Sequence, residues 1–415
     1  MKLNGSVCLP ISKSESNRVL MIAAYGGFSL ETENGELSEA HDTVLLKALL
    51  KQTSLRAKPS VLGHSTEEIV VDCEDAGTAS RFLMTYLACL PGTWVLKGTS
   101  RMQQRPMAPL IETLRQLGAD IKCQDAEGKL PVKIKGTRIL GGRVEIDASK
   151  SSQFVSSLLL AAPTWEKGLR LRLKEGAVSL PYVDMTVSTM RHFGAVVERH
   201  DSEIVVLPGA YQSKKYMVSA DWSAASYWYE MAALSEDCDL MLEGLKLDPL
   251  QGDSEVVELY QSFGVQTSYE PRGVHLTKTT VPLPEKPLEL DFSMKPDLFP
   301  AVFVTCVALH CPAVFRGIQN LALKESDRAS VLITELSKIY SFKYTINHNE
   351  IIIDSSILVN QNNFHNRIVF RTFDDHRVAM ALSGLSLVLG PVIIDRPEVV
   401  SKSYPTFWDE MSNIL

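Results

Sequence analysis

A short strand, a polar loop and a helix rich in small apolar residues recur six times along this chain of 415 residues. The helical parts are expected to begin near residues 12, 75, 149, 222, 297 and 376, at intervals of 63, 74, 73, 75 and 79 residues. Alternating or continuous apolar runs predict the strands, and helically spaced Ala, Ser, Leu and Val predict the helices. The repetition therefore predicts an α/β fold of six similar units.

Strand–loop–helix units of any α/β protein can recur at similar intervals without being true repeats. The loops decide whether these six segments are repeats. In all six segments the polar residues lie between strand end and helix start, where ligands collect in α/β proteins. The segments begin at Gly5, Glu68, Arg143, Tyr216, Leu288 and Arg367. The fourth is predicted to open with a strand at 216–220, and a division into two halves of three repeats is expected near residues 218–222.

The charge composition argues against nucleic-acid binding. The chain has 42 Lys and Arg against 49 Asp and Glu, a formal net charge of −7. It has no basic run that could follow a phosphate backbone, so we expect no nucleic-acid partner. Any anionic ligand must then be held by individually placed cations.

Cysteine usage and apolar runs bear on the compartment. The seven cysteines are scattered and form no C-x-x-C pair, which favours reduced thiols, no zinc site and a cytoplasmic location. The amino-terminal segment lacks the apolar run of a signal peptide. The most apolar segment, 378–394, is broken by Gly and Pro and is shorter than the ~20 residues that span a bilayer. It predicts a buried helix followed by a strand, and no membrane partner.

Positive side chains stand at the predicted helix starts, where the helix dipole disfavours them by a few tenths of a kcal/mol to about 1 kcal/mol. Lys13 and Arg18 fall in the first turns of a helix that Ser12 and Glu15 would cap. Solvated surface charge would explain either cation alone. The string S-K-S-E-S-N-R as a whole favours a bound anion.

Two further helix starts offer backbone and hydroxyl groups. Gly77 permits close approach of the backbone to an anion, although it could equally serve packing. Ser149, Ser151, Ser152 and Gln153 place three hydroxyls and an amide in one turn. They would cap the helix, or bind a phosphate and a polyol.

The remaining charged clusters have ordinary explanations when each is taken alone. Lys324, Glu325 and Arg328 are predicted to open a helix with Lys324 and Arg328 on one face, as in any salt-bridged helix. Asp297 is predicted at a helix N-cap, and a buried imidazole would account for His376. Arg101, Arg377 and Lys402 complete the set of placed cations.

Taken in this order, the motifs resemble those of the enolpyruvyl transferase superfamily, in particular the branch whose acceptor is shikimate 3-phosphate. The matching strings run from residue 12 to residue 405 and include S-K-S with S-N-R, A-G-T-A with Arg81, R-M with R-P, S-S-Q-F, P-D, K-E with D-R, and D-H-R. The chain departs from the usual pattern at Ile11, Asp75 and Phe82, where Gly, Asn and Pro are common. Asp75 adds a negative charge near a site that must bind anions.

The resemblance implies two globular halves, each built from three βαβαββ repeats in the inside-out α/β barrel of this superfamily. Residues 12–219 would form the first half, and residues 1–11 with 220–415 the second. The active site would lie in the cleft between them.

The resemblance also implies the reaction, in which the 5-hydroxyl of shikimate 3-phosphate adds to phosphoenolpyruvate and phosphate leaves through a tetrahedral intermediate. The implied catalytic residues are Asp297, Glu325, Lys13 and Lys402. The implied phosphoenolpyruvate ligands are Lys13, Gly77, Arg101, Gln153, Arg328, His376, Arg377 and Lys402. The implied shikimate 3-phosphate ligands are Lys13, Ser14, Arg18, Ser151, Ser152, Gln153, Ser179, Tyr182, Asp297, Asn320 and Lys324.

Two other functions stay open at this point. One is enolpyruvyl transfer to UDP-N-acetylglucosamine, whose enzymes usually carry Lys-Asn near the first helix and often a reactive loop Cys; the other is a non-catalytic scaffold of the same fold. We expect small-molecule substrates, no metal or organic cofactor, and a monomer.

Overall fold

The structure, a computed structural model, describes residues 1–30, 36–56, 68–246, 250–282, 284, 286–347, 349–358 and 368–415. The described chain forms two compact units. The first unit is Lys13–Val218, and the second combines Met1–Ser12 with Ser219–Leu415.

The chain enters the first unit after one strand of the second. That strand is β1 (Lys2–Cys8), and the helices α1 (Lys13–Gly26) and α2 (His41–Arg56) follow it.

Two complete βαβαββ repeats make up the rest of the first unit. One consists of β2 (Glu68–Asp72), α3 (Gly77–Cys89), β3 (Thr93–Lys97), α4 (Ser100–Gln104), α5 (Ala108–Gln116), β4 (Asp120–Cys123) and β5 (Val132–Lys135). The other consists of β6 (Gly142–Ile146), α6 (Ser152–Ala161), β7 (Leu169–Leu173), α7 (Leu180–His192), β8 (Val197–Arg199) and β9 (Glu203–Val206). Their sheets have equivalent orders, β2-β3-β5-β4 and β6-β7-β9-β8, with the first pair parallel and the others antiparallel.

Two more complete repeats lie in the second unit. One uses β1 as its first strand and continues with α8 (Trp222–Leu234), β10 (Asp237–Glu243), α9 (Val256–Gln261), β11 (Val265–Glu270) and β12 (Gly273–Lys278). The other consists of β13 (Leu288–Asp291), α10 (Phe299–Ala308), β14 (Ala313–Arg316), α11 (Arg328–Leu336), β15 (Tyr340–Asn347) and β16 (Glu350–Leu358). The sheet orders, β1-β10-β12-β11 and β13-β14-β16-β15, repeat the pattern of the first unit.

A shorter segment ends the second unit. It consists of β17 (Ile368–Phe370), α12 (His376–Gly384), α13 (Ser386–Leu389), β18 (Val392–Ile394) and α14 (Phe407–Ile414), and β17 pairs in parallel with β18. Short 3-10 helices lie at Ala162–Thr164, Gly252–Glu255, Leu321–Leu323 and Pro397–Lys402. The predicted buried helix and strand at 378–394 are thus confirmed. Within the described ranges, none of the helices has the length and apolar character needed to span a bilayer.

The predicted α/β class is confirmed, and the predicted helices begin at Lys13, Gly77, Ser152, Trp222, Phe299 and His376. Three of these starts were predictable because they are capped locally. The side chains of Ser151, Asp221 and Asp375 accept hydrogen bonds from backbone amides two or three residues later, at 3.2, 3.1 and 3.0 Å.

The repeats differ in length within the described residues, and one predicted strand is not formed. The described residues contain the complete βαβαββ repeat four times, and α1 with α2 and the segment from β17 to α14 are shorter. The predicted strand at 216–220 is wrong, since this segment makes only isolated bridges such as Ala220 with Ile11. Its place beside β10 is taken by β1, in a parallel register from Lys2↔Asp237 to Cys8↔Glu243. The segment lies where the chain passes from the first unit to the second.

Helices form the core of the second unit. Every residue of α8 and of α10 is buried, and α8 packs against both α10 and α12. A helix that is apolar on all sides has no solvent face. The strands alternate instead, as in β10, where Leu240 and Leu242 are buried while Asp237 and Asp239 are exposed. The sheets therefore turn one face to the helices and one to solvent.

One carboxyl group is buried in this helical core. Glu230 on α8 has 0% of its surface exposed, and neither carboxyl oxygen has a hydrogen-bond partner within the described part of the chain. Gly384 on α12 leaves room for it, because a Cβ at Gly384 would lie 2.6 Å from Oε1 of Glu230. Burial raises the pKa of Glu230 well above its ordinary value.

We expect Glu230→Gln to stabilise the protein by an amount that grows with pH. The folded protein keeps the Glu230 proton while the unfolded chain releases it above about pH 4.3, so wild-type stability falls as pH rises. The amide carries no such proton, and the gain at pH 7 should reach about 1–3 kcal/mol. Calorimetric Tm values of wild type and Glu230→Gln, taken between about pH 4.3 and about pH 7, measure this gain in stability. Glu258→Gln, at an exposed position on α9, is the control. A Tm difference that does not change with pH would refute the explanation.

Candidate active site

Lys13, the first residue of α1, is held by a carboxylate that the sequence analysis did not single out. Its Nζ lies 3.1 Å from Oδ2 of Asp42 in the first turn of α2, and the two side chains are 14% and 4% exposed. An ammonium group is disfavoured at a helix N-terminus, and Asp42 offsets that cost. Asp in a first helical turn is so common that the sequence alone gave it no weight.

Arg18 is buried between α1 and α7. Its Nε donates to Oγ1 of Thr186 (2.7 Å), its Nη1 to the Ser14 carbonyl (2.7 Å) and its Nη2 to the Tyr182 carbonyl (2.9 Å). Burial lowers the pKa of Arg18 to about 10, which leaves it charged at neutral pH. Arg18 therefore fixes the backbone at two other predicted ligands, Ser14 and Tyr182. A third predicted ligand, Ser179, precedes α7 with a left-handed φ of 54°.

The starts of α3 and α6 are joined directly. Nε2 of Gln153 donates to Oγ1 of Thr78, next to Gly77, at 3.0 Å. The Ser151 hydroxyl accepts from the Gln153 amide at 3.2 Å, and Ser152 is buried in the same turn. The structure thus brings four predicted ligands together: Gly77, Ser151, Ser152 and Gln153.

Two guanidinium groups lie close to Gly77, and the sequence analysis gave neither of them a role. A Cβ at Gly77 would lie 2.6 Å from Nη1 of Arg81 and 2.6 Å from Nη1 of Arg105. Nη1 of Arg81 also donates to the Gly77 carbonyl at 2.9 Å. The helical spacing of four residues between Gly77 and Arg81 was the available signal. The predicted ligand Arg101 lies half-buried in α4.

In the second unit, carboxylates and arginines form one ion-pair network, here called the acid–arginine cluster: Asp297, Glu325, Asp375, Arg328 and Arg377. Arg328 is 1% exposed and contacts all three acids. Its Nη1 lies 2.9 Å from Asp297, its Nη2 2.8 Å from Glu325 and its Nε 2.9 Å from Asp375.

Both oxygens of Asp297 face cations. Oδ1 lies 2.9 Å from Arg328 and 3.6 Å from Nζ of Lys324, and Oδ2 lies 2.9 Å from Nη2 of Arg377. Nη1 of Arg377 donates to the Tyr227 hydroxyl at 3.4 Å. Although burial opposes its charge, Arg377, Lys324 and Arg328 hold the pKa of Asp297 well below the ordinary value.

Two local predictions about this cluster are wrong. Asp297 is not the N-cap of α10, a position that Leu298 occupies. The helix predicted to open at Lys324 begins only at Arg328, because Asp327 caps it by accepting from the Ser330 amide at 3.3 Å. Lys324 and Glu325 therefore precede the helix and share no helical face with Arg328.

Three further predicted residues are buried in the second unit. Asn320 precedes the 3-10 helix Leu321–Leu323, His376 opens α12, and Lys402 ends the 3-10 helix Pro397–Lys402; they are 7%, 1% and 6% exposed. Nδ1 of His376 lies 3.8 Å from Oδ1 of Asp375. Asp375 had no predicted role because capping explains an Asp at that position. Across the residues described, no group of three His, Cys, Asp or Glu side chains is arranged to hold a metal ion.

Comparisons with known proteins agree over the full chain. A family model described as EPSP synthase (3-phosphoshikimate 1-carboxyvinyltransferase) matches residues 1–411. Among curated 3-phosphoshikimate 1-carboxyvinyltransferases, one from Bacteroides fragilis is 38% identical over 412 residues, covering 99% of this chain and 95% of the relative. One from Methanospirillum hungatei is 32% identical over 428 residues, covering 99% and 96%.

Solved structures agree on the fold. EPSP synthase from Acinetobacter baumannii has a TM-score of 0.73 at 24% identity, covering 99% of this chain and 96% of that one. The enolpyruvyl transferase NikO from Streptomyces tendae has a TM-score of 0.71 at 14% identity, covering 99% and 95%. Likeness at such identities shows the fold, and the family follows from the full-length family match and the curated relatives. The chain belongs to the EPSP synthase (3-phosphoshikimate 1-carboxyvinyltransferase) family.

Proposed function

We propose that this protein transfers the enolpyruvyl group of phosphoenolpyruvate to the 5-hydroxyl of shikimate 3-phosphate and releases phosphate. The acid–arginine cluster supports this most strongly, because Asp297 and Glu325 share Arg328 within 2.9 Å. The C2 carbon of phosphoenolpyruvate becomes electrophilic only when C3 takes a proton. The reaction therefore needs an acid, a base and fixed positive charge together.

Asp297 is the proposed base for the 5-hydroxyl proton, and substrate binding would activate it. With Arg328, Arg377 and Lys324 around it, Asp297 is ionised but weakly basic. Arg328 and Arg377 are also proposed ligands of phosphoenolpyruvate. When the substrate's carboxylate and phosphate engage them, Asp297 loses part of that stabilisation and its pKa rises.

Glu325 is the proposed acid that protonates C3. The engagement of Arg328 by the substrate anion also changes the surroundings of Glu325. Its Oε2 accepts from Nη2 of Arg328 at 2.8 Å. Moving Arg328 onto the substrate anion lets Glu325 take a proton from solvent and give it to the methylene carbon in the addition. In the elimination, Glu325 takes a proton back from the resulting methyl group as phosphate leaves, which restores the enol double bond. Lys13 and Lys402 are the proposed cations beside the leaving phosphate.

The remaining proposed ligands come from both units. From the first unit we add Arg81 and Arg105, since both crowd Gly77, and Asp42, since it holds Lys13. Aligning two substrates can contribute about 7–11 kcal/mol and acid–base catalysis about 10²–10⁴-fold. Alignment is therefore the larger part of the proposed rate enhancement.

Phosphate release tests the function directly. Release from phosphoenolpyruvate is expected with shikimate 3-phosphate, and not without it. Release only with UDP-N-acetylglucosamine would instead support the sister transferase. No release with either acceptor would support a scaffold. In either case the proposed function fails.

The compartment, the oligomeric state and the partners are also part of the proposal. All seven cysteines are free thiols, which suits a reducing compartment such as the cytoplasm. We propose a monomer that acts on small molecules, without nucleic acid, metal or organic cofactor.

We expect Gly77→Ala to raise KM for phosphoenolpyruvate about tenfold while KM for shikimate 3-phosphate changes less. The new Cβ would meet only the ends of two arginine side chains, at 2.6 Å. Such ends can move, so the fold survives, but the cations shift away from the anion. Steady-state kinetics with each substrate varied in turn measures both constants. Gly209→Ala is the control, since a Cβ there meets nothing within 4 Å. An unchanged KM for phosphoenolpyruvate would remove Gly77 from that site.

A further inference from the structure

Asp253 is a buried acid of the second unit that has no part in the mechanism so far. Asp253 lies in the 3-10 helix Gly252–Glu255 and is 2% exposed. The hydroxyl of Ser223, in the first turn of α8, donates a hydrogen bond to its Oδ2. A carboxyl this deeply buried is costly unless its charge is compensated or neutralised by a proton.

The segment around Asp253 is tied to the start of α8. Oε1 of Gln251 accepts from the Trp222 amide at 2.9 Å, and its Nε2 donates to the Ala220 carbonyl at 2.7 Å. One turn along α8 from Ser223, the Tyr227 hydroxyl accepts from Arg377. Helix α8 therefore contacts Asp253 through Ser223 and the acid–arginine cluster through Tyr227.

The same segment is tied to the loop that carries Asp297. Glu255, at the end of the 3-10 helix, pairs with Lys295, two residues before Asp297. Asp297, Arg377, Asp221 and Lys295 are charged groups that act electrostatically on Asp253. Burial, and then the charge of Asp297, raise the pKa of Asp253 to about 6.

We propose that Asp253 is a positioning residue that takes up a proton from solvent when an anionic substrate binds the acid–arginine cluster, and releases it when the anion leaves. The inference rests on the proposed function and deepens it. Lys324, Arg328 and Arg377 already face three carboxylates in this cluster. The positive charge of Arg377 favours the ionised form of Asp253, and an anion bound to Arg377 would offset that charge and favour protonation.

Ser223 sets the pH at which this exchange occurs. Its donated hydrogen bond favours the ionised form and so lowers the pKa of Asp253. Without that donor, Asp253 would hold its proton to higher pH. Ser223→Ala should therefore extend anion binding toward alkaline pH, an effect that loss of structure cannot produce.

Calorimetric titration of the full chain with sulfate tests the proposal without turnover. Sulfate keeps its charge between about pH 5.5 and pH 8, whereas coupling to one proton weakens its binding up to tenfold for each pH unit above the pKa. Wild-type affinity is expected to fall about tenfold more across this range than the affinity of Asp253→Asn. The fall in Ser223→Ala should begin at higher pH. All other groups are the same in every variant, so the differences isolate Asp253. Asp239→Asn, exposed on β10, should behave as wild type.

Three results would overturn the proposal. The first is a pair of parallel pH profiles for wild type and Asp253→Asn. The second is weaker sulfate binding by Asp253→Asn at every pH, which would indicate a purely structural role. The third is no sulfate binding by wild type. A failure of the proposed function would appear separately, as absent phosphate release in an enzyme whose sulfate binding keeps the expected pH dependence.

Discussion

Asp297→Asn is expected to lower kcat by about two to four orders of magnitude, the range that general acid–base groups contribute. The amide cannot accept the 5-hydroxyl proton. It also no longer competes for Arg328 and Arg377, which both lie 2.9 Å from the carboxylate. The variant should therefore bind phosphoenolpyruvate at least as tightly as wild type while it turns over far more slowly.

Single-turnover kinetics and calorimetric binding separate these two effects. Asp291→Asn is the matched control, because Asp291 is exposed at the end of β13 and accepts only the nearby Ser293 amide in the contacts described. It should leave both quantities unchanged. A kcat near wild type would remove Asp297 from the chemistry. Weaker phosphoenolpyruvate binding would show instead that the carboxylate organises the arginines and does not compete for them.

The helix starts of both units were predictable because their causes are local. Ser151, Asp221 and Asp375 cap the helices that follow them, and a cap needs only residues within one turn. Local chemistry also explains the error at α11. Both Lys324 and Asp327 lie in a polar run before an apolar stretch, and the carboxylate of Asp327 caps the helix better than any group near Lys324.

Pairings between distant parts of the chain could not be predicted in the same way. The apolar segment 216–220 has the composition of a strand, but the position beside β10 belongs to β1, more than 200 residues earlier. The same reason explains which residues of the candidate site the sequence missed. The motifs predicted Lys13 and Gly77, whereas Asp42 and Arg105 gain a role only through contacts that the fold creates.

Removing Arg328 is expected to cost the largest amount of stability, because it leaves a buried cluster of carboxylates without its central cation. Arg328→Met should lower the free energy of unfolding by about 3–5 kcal/mol, the cost of breaking a buried ion pair from one side. The guanidinium is 1% exposed and contacts Asp297, Glu325 and Asp375, whose mutual repulsion it offsets. Arg328 helps to hold the pKa of Asp297 below its ordinary value, so without it Asp297 takes up a proton more easily, and the deficit should shrink as pH falls.

Denaturant unfolding at two pH values measures this effect, with Arg316→Met as the comparison. Arg316 also pairs with two carboxylates, Glu289 and Glu350, but it is 50% exposed, and its loss should cost no more than about 1 kcal/mol. Adding Asp375→Asn to Arg328→Met should recover part of the loss, since it removes one of the carboxylates left uncompensated. If Arg328→Met lowers the free energy of unfolding no more than Arg316→Met does, the acid–arginine cluster is hydrated and its carboxylates repel one another little. The carboxylates then do not depend on Arg328 for their charge, and the proposed activation of Asp297 by moving that arginine onto the substrate fails with it.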